Sequence, residues 1–375
     1  MSASEVPSRP DLSVEEVKFL GRDLLGETPV SVRVCESYDD QVFVLALPGA
    51  RPRVVLKINH PGTSRDRLEV QESLRESVRG FGDAKLAEVI PAVLMQHELE
   101  RNGRSHVVQV FSFLSGAHSK DVLLDLIKGG DMKGVESVMR SCGRSAAAFD
   151  VAAANFFDSL AQDRDRVTEV LASSAGHNIW QVERAAELVS SLVDLVVPLA
   201  WQRELIASAF ADFCEHAHAK LSRMPLTVLH GDMNENNLLI DERSKEITGI
   251  LDFGDVCVGH RVSELGVCLA YHLMHACDDD TNDTDLLSLV SAMVGGFHSV
   301  SSLSEEEQAV VYDVCRTRLA QSVTLSFRQT ALPQFADDPY VAATRSPALR
   351  LLRRLDRVGR SAFLTAVQAG ATDTT

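Results

Sequence analysis

VLHGDMNENNLLIDERSKEITGILDFGD, residues 228–255, is the stretch that decides the fold of this chain. It contains short apolar patches, each bounded by Asp, Asn, Gly or Ser, and this punctuation is typical of short strands. The charged residues between the last two patches are typical of a hairpin connection. The three predicted strands cover residues 227–229, 238–240 and 247–253.

Three polar side chains fall at the ends of these strands: Asp232, Asn237 and Asp252. Phosphoryl transfer needs a carboxylate beside the acceptor hydroxyl and hard oxygen ligands for Mg²⁺. Asp232 can accept the hydroxyl proton, and Asn237 and Asp252 can bind the metal ion. Asp232 or Asn237 alone could equally cap a turn. The joint order of HGD, an Asn five residues later, a hairpin and DFGD favours the functional interpretation.

The whole chain has 375 residues, which is enough for two domains or two lobes. Its composition, 45% hydrophobic and 24% charged, is typical of globular proteins, and its formal net charge of -16 argues against a general nucleic-acid or anionic-membrane binder. No run reaches the roughly 18 apolar residues of a membrane span, and the first residues do not resemble a secretory signal. Seven cysteines without a CxxC pair indicate reduced thiols and a cytoplasmic location.

The N-terminal third predicts a small sheet with two helices. Ser13 and Glu16 have the spacing of a capping box that opens the first helix. Apolar residues four positions apart indicate a second helix over 64–79. The predicted strands cover 30–34, 41–47, 53–58 and 107–113.

Lys57 lies inside the apolar strand VVLKI, where a charge is costly unless it is paired. One interpretation is a solvent-facing lysine, since strand side chains alternate faces. The other is a lysine that binds nucleotide phosphates and is held by a helix glutamate, with Glu69 preferred over Glu72. The loop before the second strand has no GxGxxG, so Ser37 and Asp39 are candidates to contact phosphates together with backbone N–H groups.

The C-terminal two thirds contain several helical patterns, including 185–197 and 263–274. The histidines and cysteines found there raise the alternative of a structural zinc site. No complete zinc spacing is present, so ordinary packing is favoured. The residues concerned are His216, His218, His272, His275, Cys268 and Cys277.

Together these motifs resemble the aminoglycoside phosphotransferase and choline kinase group of small-molecule kinases. The resemblance is carried by HGDxxxxN, LDFGD, an upstream strand lysine and the lack of a glycine-rich loop. Within the group the chain looks most like the hydroxylysine kinases, chiefly through SYDDQ at 37–41 and GILDFGD at 249–255. The resemblance implies an α+β, bilobal, protein-kinase-like fold. The N-lobe, an antiparallel sheet plus helix, would cover 1–113, and a larger, mostly helical C-lobe would cover 114–375.

The same resemblance implies transfer of the γ-phosphoryl group of GTP, with Mg²⁺, to the side-chain hydroxyl of 5-hydroxy-L-lysine. Asp232 would be the catalytic base, and Asn237 and Asp252 would hold Mg²⁺. Lys57 with Glu69 would set the phosphates. The expected partners are therefore a nucleotide and a small amino-acid substrate, with no nucleic acid and no membrane.

An amino-acid acceptor also brings charges of its own, namely a carboxylate and at least one ammonium group. Asp255 and Glu264 are candidates to pair with ammonium groups, although Glu264 could simply be a favourable charge in the first turn of a helix. Arg318 is a candidate for the acceptor carboxylate, and it could equally be a structural ion-pair partner.

Several alternatives stay open at this point. ATP could be the donor, and homoserine, choline, a sugar or an aminoglycoside could be the acceptor. A protein kinase is disfavoured because only 20 residues separate Asp232 from Asp252 and no APE-type segment follows DFG. A catalytically inactive binding protein on a kinase fold is disfavoured because all the predicted catalytic and metal-binding residues are present.

Overall fold

The structure is a computed structural model that describes residues 10–37, 39–49, 51–173, 177–277 and 281–372. The chain forms two compact units. They are Met1–Glu76 with Ile90–Leu114, and Ser77–Val89 with Ser115–Thr375.

The first unit is an antiparallel five-stranded sheet with two helices. The helices are α1 (Val14–Leu25) and α2 (Arg65–Arg79), and the strands are β1 (Ser31–Cys35), β2 (Gln41–Ala46), β3 (Val54–Ile58), β4 (Val93–Arg101) and β5 (Arg104–Ser112). The strand order is β1-β2-β3-β5-β4, and every neighbouring pair is antiparallel.

Alternating side chains of β2 and β3 form the core of this unit, and Phe43 and Leu56 are at most 1% exposed. The predicted capping box at the start of α1 is confirmed. The Glu16 backbone N–H donates to Ser13 Oγ at 3.3 Å, and the Ser13 backbone N–H donates to Glu16 Oε2 at 2.8 Å. The reciprocal bonds satisfy backbone donors that a helix start leaves unpaired.

The second unit is mostly helical and contains two small antiparallel sheets. Its strands are β6 (Ala117–His118), β7 (Thr227–Leu229), β8 (Leu238–Ile240), β9 (Ile247–Ile250) and β10 (Cys257–Gly259), ordered β6-β8-β9 and β10-β7. Its helices are α3 (Ala84–Val89), α4 (Ser119–Lys128), α5 (Met132–Ser159), α6 (Arg164–Ser173), α7 (Ala185–Leu188), α8 (Val193–Val196), α9 (Ala200–His216), α10 (His218–Leu221), α11 (Arg261–Ala276), α12 (Asp283–Val300), α13 (Glu305–Gln308), α14 (Val311–Thr330), α15 (Pro339–Ala343), α16 (Arg345–Val358) and α17 (Arg360–Thr372). Short 3-10 turns lie at Ala161–Asp163, His177–Trp180, Val182–Arg184, Ser190–Leu192 and Pro333–Phe335.

Residues 77–89, which comprise the last three residues of α2 and all of α3, belong to the second unit, whereas the sequence analysis placed them in the N-lobe. The reason is the packing of α3 against β9. Lys85 Nζ also lies 3.8 Å from Glu246 Oε2 in the turn before that strand. The helix therefore takes its neighbours from the second unit, although it follows α2 directly in the sequence.

The three strands predicted around the HGD motif are present as β7, β8 and β9. The third ends at Ile250 rather than at residue 253. The backbone leaves the extended conformation there, since Asp252 has φ +51°. Asp252 therefore lies in the loop after β9 and not in the strand.

The helix predicted over 185–197 is instead a series of single turns, which includes α7 and α8. Its residues at spacing four, among them Val189 and Val193, are buried as the pattern predicts. β-Branched residues have modest helix propensity because their χ1 freedom is restricted. The hydrophobic period therefore identified the buried face correctly but not the continuity of the helix.

This architecture matches the predicted α+β class, with an antiparallel sheet in one unit and helices dominating the other. Within the described ranges, no helix is both long and apolar enough to cross a membrane.

Helices α5 and α12 are in close contact at Gly296. A Cβ atom added there would lie 2.0 Å from the carbonyl oxygen of Arg140, far inside van der Waals contact. Gly296→Ala gains helix propensity worth about 1 kcal/mol but forces the two helices apart. Because overpacking costs about 1–3 kcal/mol and occasionally more, we expect a lower urea midpoint of unfolding. Ser299→Ala, at an exposed site on α12, is the control, and an unchanged midpoint for Gly296→Ala would contradict the close packing.

Candidate active site

Asp232 lies in the loop after β7, and its carboxylate is held on both oxygens. Arg318 Nη2 donates to Oδ1 at 2.7 Å. Asn234 Nδ2 and Asn237 Nδ2 donate to Oδ2 at 2.6 and 3.0 Å. A carboxylate offers about four lone-pair sites, so Oδ1 keeps one for an incoming hydroxyl group. The side chain of Asp232 is 15% exposed.

The electrostatic surroundings of Asp232 also suit a proton acceptor. Burial raises the pKa of its carboxyl to about 8; Arg318 opposes this rise, and the negative charges of Asp255 and Asp252 add to it. General bases are most effective when their pKa lies near the operating pH. The role of Asp232 as the proton acceptor stays a prediction.

Asn234 shapes the loop that carries Asp232. Its Oδ1 accepts the backbone N–H groups of Asn236 at 2.8 Å and Asn237 at 3.0 Å, while its Nδ2 holds the Asp232 carboxylate. Such an Asx turn is a common use of asparagine. The sequence analysis did not single out Asn234, although an asparagine two residues after the HGD aspartate is the signal that could have identified it.

Gly231 is required by the path of this loop. Its φ is +82°, and a Cβ atom placed on it would lie 2.3 Å from the carbonyl oxygen of Asp255. Its backbone N–H donates to Glu264 Oε2 at 3.0 Å. Both the left-handed backbone and the close approach demand glycine, which explains why Gly rather than a larger residue precedes Asp232 here.

His230 anchors the start of the loop in the core. Its side chain is fully buried, and Nε2 lies 2.8 Å from the carbonyl oxygen of Leu251. The ring packs edge-to-face against Phe253, with centroids 5.1 Å apart, and against Phe149, with centroids 5.7 Å apart. These contacts fix the HGD loop against the DFGD segment.

Glu235 ties the same loop to helices α4 and α11. Its carbonyl oxygen accepts Ser119 Oγ–H at 2.9 Å and the Lys120 backbone N–H at 3.1 Å. Its carboxylate Oε1 lies 3.0 Å from His275 Nε2, and the Glu235 side chain is 1% exposed. The loop that carries Asp232 is therefore attached to two helices, which favours precise positioning of its side chains.

Asn237 and Asp252 are the predicted oxygen ligands for Mg²⁺. Asn237 Nδ2 donates twice to Asp232, which leaves its Oδ1 oxygen as the ligand atom. The Leu251 backbone N–H donates to the Asn237 carbonyl oxygen at 2.8 Å, which joins the two segments. Asp252 is exposed and has a left-handed backbone, a strained conformation that clusters at functional sites. Mg²⁺ takes few protein ligands and leaves the rest to phosphate and water, so this pair fits it.

In the first unit, Lys57 has a carboxylate partner that the sequence analysis missed. Lys57 Nζ lies 2.8 Å from Asp40 Oδ2, and the two side chains are 13% and 17% exposed. Asp40 Oδ1 also accepts the His60 backbone N–H at 2.7 Å. Lys57 is thus a paired, half-buried cation and not the solvent-facing lysine of the alternative interpretation.

The other nucleotide candidates lie at the surface of the same unit. Glu69 is exposed on α2, Asp39 is exposed, and Ser37 is half-buried in the loop before β2. Glu72 lies one residue beyond the buried Gln71 and accepts Gln96 Nε2 at 2.7 Å. The pairing of Lys57 with Glu69 stays a prediction, as do the phosphate contacts of Ser37 and Asp39.

The acceptor candidates differ in their surroundings. Asp255 is half-buried after β9, close enough to raise the pKa of Asp232. Glu264 is 1% exposed beneath the loop, and burial raises the pKa of its carboxyl. This position favours a role in supporting Gly231 over contact with a substrate. Arg318 is also 1% exposed and donates to Asp232. Its contact with an acceptor carboxylate stays a prediction, and the alternative is an ion pair with Asp232.

Comparison with known proteins decides the family. The sequence pattern of the Phosphotransferase enzyme family (APH) matches residues 31–286. These residues include the strand that carries Lys57 and the whole segment from His230 to Asp255. The chain belongs to the phosphotransferase enzyme family. It is accordingly a small-molecule kinase that transfers a phosphoryl group to an alcohol acceptor, and kinases of this fold use a nucleotide donor with Mg²⁺.

Relatives of this phosphotransferase support the assignment along its whole length. It is 26% identical to a hydroxylysine kinase of Danio rerio over 96% of this chain and 95% of that protein. Its fold is similar to that of a microcompartment-associated aminopropanol kinase, with a TM-score of 0.60, 16% identity, and 93% and 99% of the two chains covered. An amicoumacin kinase gives a TM-score of 0.62 at 12% identity, with 92% and 96% covered. These similarities confirm the predicted fold class.

The histidines that raised the zinc alternative have other surroundings in this phosphotransferase. His272 is fully buried, with Nδ1 2.8 Å from the Cys268 carbonyl oxygen and Nε2 2.9 Å from Ser119 Oγ. His275 contacts Glu235. Among the residues that the structure describes, no three His, Cys, Asp or Glu side chains form a group that could hold a metal ion.

His272 gives the phosphotransferase a measurable acid sensitivity. Burial lowers the pKa of His272 from 6.5 to about 4. Between these values the unfolded chain binds more protons than the folded chain, so stability falls as the pH falls. Each pH unit is worth about 1.4 kcal/mol. We therefore expect the difference in unfolding free energy between wild type and His272→Gln to shrink by about 2 kcal/mol from pH 6.5 to pH 5.

Urea unfolding of both proteins at several pH values checks this expectation. Groups distant from His272 titrate in both proteins and cancel in the difference. A difference that stays constant across the range would show that the folded chain protonates His272 as readily as the unfolded chain does.

Proposed function

We propose that this small-molecule kinase transfers the γ-phosphoryl group of GTP to the side-chain hydroxyl of 5-hydroxy-L-lysine. The observation that carries the proposal is its end-to-end similarity to the hydroxylysine kinase of Danio rerio, at 26% identity over 96% of the chain. The SYDDQ and GILDFGD segments, at 37–41 and 249–255, carry the resemblance to hydroxylysine kinases and support the same acceptor.

Asp232 would act as the base in a direct, in-line transfer. Its open Oδ1 lone pair accepts the hydrogen bond of the acceptor hydroxyl and takes its proton as the hydroxyl oxygen bonds to the γ-phosphorus. The bond between that phosphorus and the β–γ bridging oxygen breaks, and the nucleoside diphosphate leaves. Positioning and electrostatics supply most of the rate in such reactions.

The remaining candidates would bind the nucleotide and the metal ion. Lys57 would contact the nucleotide phosphates, with its own orientation set by Asp40 at 2.8 Å. Asn237 and Asp252 would hold Mg²⁺, which when bound neutralises charge on the β- and γ-phosphate oxygens. Ser37, Asp39 and Glu69 are further candidates for the nucleotide site.

The proposed acceptor carries two ammonium groups in addition to its carboxylate. Acidic residues near Asp232 fit the positive charge of these ammonium groups. Asp255 is half-buried and acts electrostatically on Asp232, so it is the stronger of the two acidic candidates. We place the reaction in the cytoplasm, in keeping with seven cysteines that are all free thiols.

Steady-state assays with an acceptor panel test this function. Purified protein with Mg-GTP or Mg-ATP is offered 5-hydroxy-L-lysine, homoserine, choline, a sugar and an aminoglycoside, each at several concentrations. We expect the highest kcat/KM for hydroxylysine with GTP. A higher kcat/KM for another acceptor would identify that acceptor as the substrate, and a preference for ATP would identify ATP as the donor. The assignment as a kinase would stand in both cases.

A further inference from the structure

Arg318, in α14, is 1% exposed, and each guanidinium nitrogen donates to a protein acceptor. Nε donates to Tyr271 Oη at 3.2 Å, and Nη2 donates to Asp232 Oδ1 at 2.7 Å. Nη1 donates to Gln321 Oε1 at 3.2 Å and to the Trp180 carbonyl oxygen. The Trp180 and Tyr271 rings each have their centroid 5.2 Å from Cζ. A cation with these partners is held in one orientation.

This set of partners bears on what Arg318 can bind. Gripping a substrate carboxylate in the usual bidentate way needs two parallel N–H groups on one edge of the guanidinium. Because Nε, Nη1 and Nη2 already donate to protein, no edge offers such a pair without the loss of an existing bond. The geometry therefore favours an effect of Arg318 through Asp232 over direct contact with an acceptor.

For Asp232, the bond from Arg318 comes from a different element than its other bonds. The loop's own Asn234 and Asn237 hold Oδ2, whereas Arg318 reaches Oδ1 from α14. With both oxygens fixed, the plane of the carboxylate cannot rotate about Cβ–Cγ, and the open lone pair keeps one direction. Misplacement of a reacting group by about 1 Å can cost about 10²-fold in rate.

We propose that Arg318 is a positioning residue that orients the Asp232 carboxylate toward the acceptor hydroxyl, and that it contributes to kcat rather than to acceptor affinity. This inference rests on the proposed function only in so far as Asp232 is the base. It does not depend on which alcohol is phosphorylated.

Removal of the Arg318 guanidinium should leave the neighbouring segment in place. Residues 179–181 have separate attachments, since Gln321 Nε2 donates to the Ile179 carbonyl oxygen at 2.7 Å and Gln181 Nε2 donates to the Val258 carbonyl oxygen at 2.9 Å. An effect of an Arg318 substitution on kcat can therefore be attributed mainly to the lost bond to Asp232.

Arg316 provides a matched control on the same helix. It is 2% exposed and pairs with Asp212 and, at 2.9 Å, with Asp356. Both of these partners lie outside the loop that carries Asp232. Arg316→Gln thus removes an equally buried, doubly paired arginine without touching the site, and its effect on folding should match or exceed that of Arg318→Gln.

The experiment compares Arg318→Gln, Arg318→Lys and Arg316→Gln with wild type in kcat, in both KM values and in thermal unfolding. Because misplacement of a reacting group can cost about 10²-fold in rate, we expect a loss of up to that size in kcat for Arg318→Gln. The KM values for acceptor and nucleotide should stay near those of wild type. Arg318→Lys should recover part of kcat, because it returns a cation to Asp232, and Arg316→Gln should unfold at lower temperature with kcat unchanged.

Two results would overturn the proposal. A raised acceptor KM with wild-type kcat in Arg318→Gln would assign Arg318 to the acceptor carboxylate. An equal fall of kcat in Arg318→Gln and Arg316→Gln would reduce Arg318 to a structural ion pair. Failure of the proposed function looks different: wild type then turns over another acceptor in place of hydroxylysine, and the same three variants are compared with that acceptor.

Discussion

Asp232→Ala lowers kcat by about 10²–10⁴-fold, the usual loss when a well-placed general base is removed, while the protein stays folded and binds nucleotide. The loss follows from geometry, because Asp232 Oδ1 is the carboxylate oxygen with a lone pair open to an acceptor. Arg318 keeps its other acceptors at Tyr271, Gln321 and Trp180. The substitution also removes the Asp232 carboxylate as acceptor for Asn234 Nδ2 and Asn237 Nδ2. Each buried donor left unpaired costs about 1–3 kcal/mol, so we expect a lower unfolding temperature with the fold retained.

Asp313→Ala is the matched control for this prediction. Asp313 is a fully buried carboxylate in α14 that pairs with Arg360 at 3.0 Å, outside the catalytic loop. The substitution Asp313→Ala should lower the unfolding temperature and leave kcat unchanged. Measured by phosphate transfer and circular dichroism, an Asp232→Ala protein with normal turnover would remove Asp232 from the chemistry.

Asp252→Asn should reduce the rate of phosphoryl transfer by about 10²-fold or more at a fixed Mg²⁺ concentration. The reason is that a metal ion stabilises the charge of the transition state by several kcal/mol. The neutral amide keeps the size of the side chain but loses the charge that attracts Mg²⁺. Gly254 can still donate its backbone N–H, now 3.1 Å from Asp252 Oδ1, to the amide oxygen. The turn should therefore persist, and the defect should appear as a higher Mg²⁺ requirement.

A titration of activity against Mg²⁺ measures this shift. Asp241→Asn makes the same chemical change between β8 and β9, where Asp241 is exposed and accepts the Ser244 backbone N–H at 2.8 Å. The Mg²⁺ titration curve of Asp241→Asn should coincide with that of wild type. Coincident Mg²⁺ curves for Asp252→Asn and wild type would contradict the metal role of Asp252.

The three central site candidates were identified from one local sequence pattern, and their catalytic and metal-binding roles stay predictions. Asp232, Asn237 and Asp252 sit within one short stretch, and the strands between them are short enough to force them together. The strands β7, β8 and β9 formed where the apolar patches predicted them. The family resemblance and the matched pattern over 31–286 both depend on this stretch.

Side chains that act through tertiary contacts were harder to predict. Arg318 is 86 residues from Asp232 in sequence, and no local pattern distinguishes an arginine that contacts a catalytic carboxylate from one that binds substrate. Asp40 was overlooked as the partner of Lys57 for a related reason: the partner comes from the loop before β2, and register across β2 and β3 brings the two together.

Strand β4 shows a further limit of hydrophobic patterning. It was not predicted because residues such as Glu98, Glu100 and Arg101 interrupt any apolar alternation, and most of its side chains are exposed. It is an edge strand held by backbone pairing with β5. Charged edge strands protect a sheet against pairing with other chains, and their backbone bonds leave no hydrophobic signature.

The most direct test of the central claim is label transfer from γ-labelled GTP, with Mg²⁺, to 5-hydroxy-L-lysine by the wild-type protein, with L-lysine as the acceptor that lacks only the hydroxyl. The account predicts label in phosphorylated hydroxylysine and none in lysine. Nucleotide binding without label in hydroxylysine would contradict the assigned reaction.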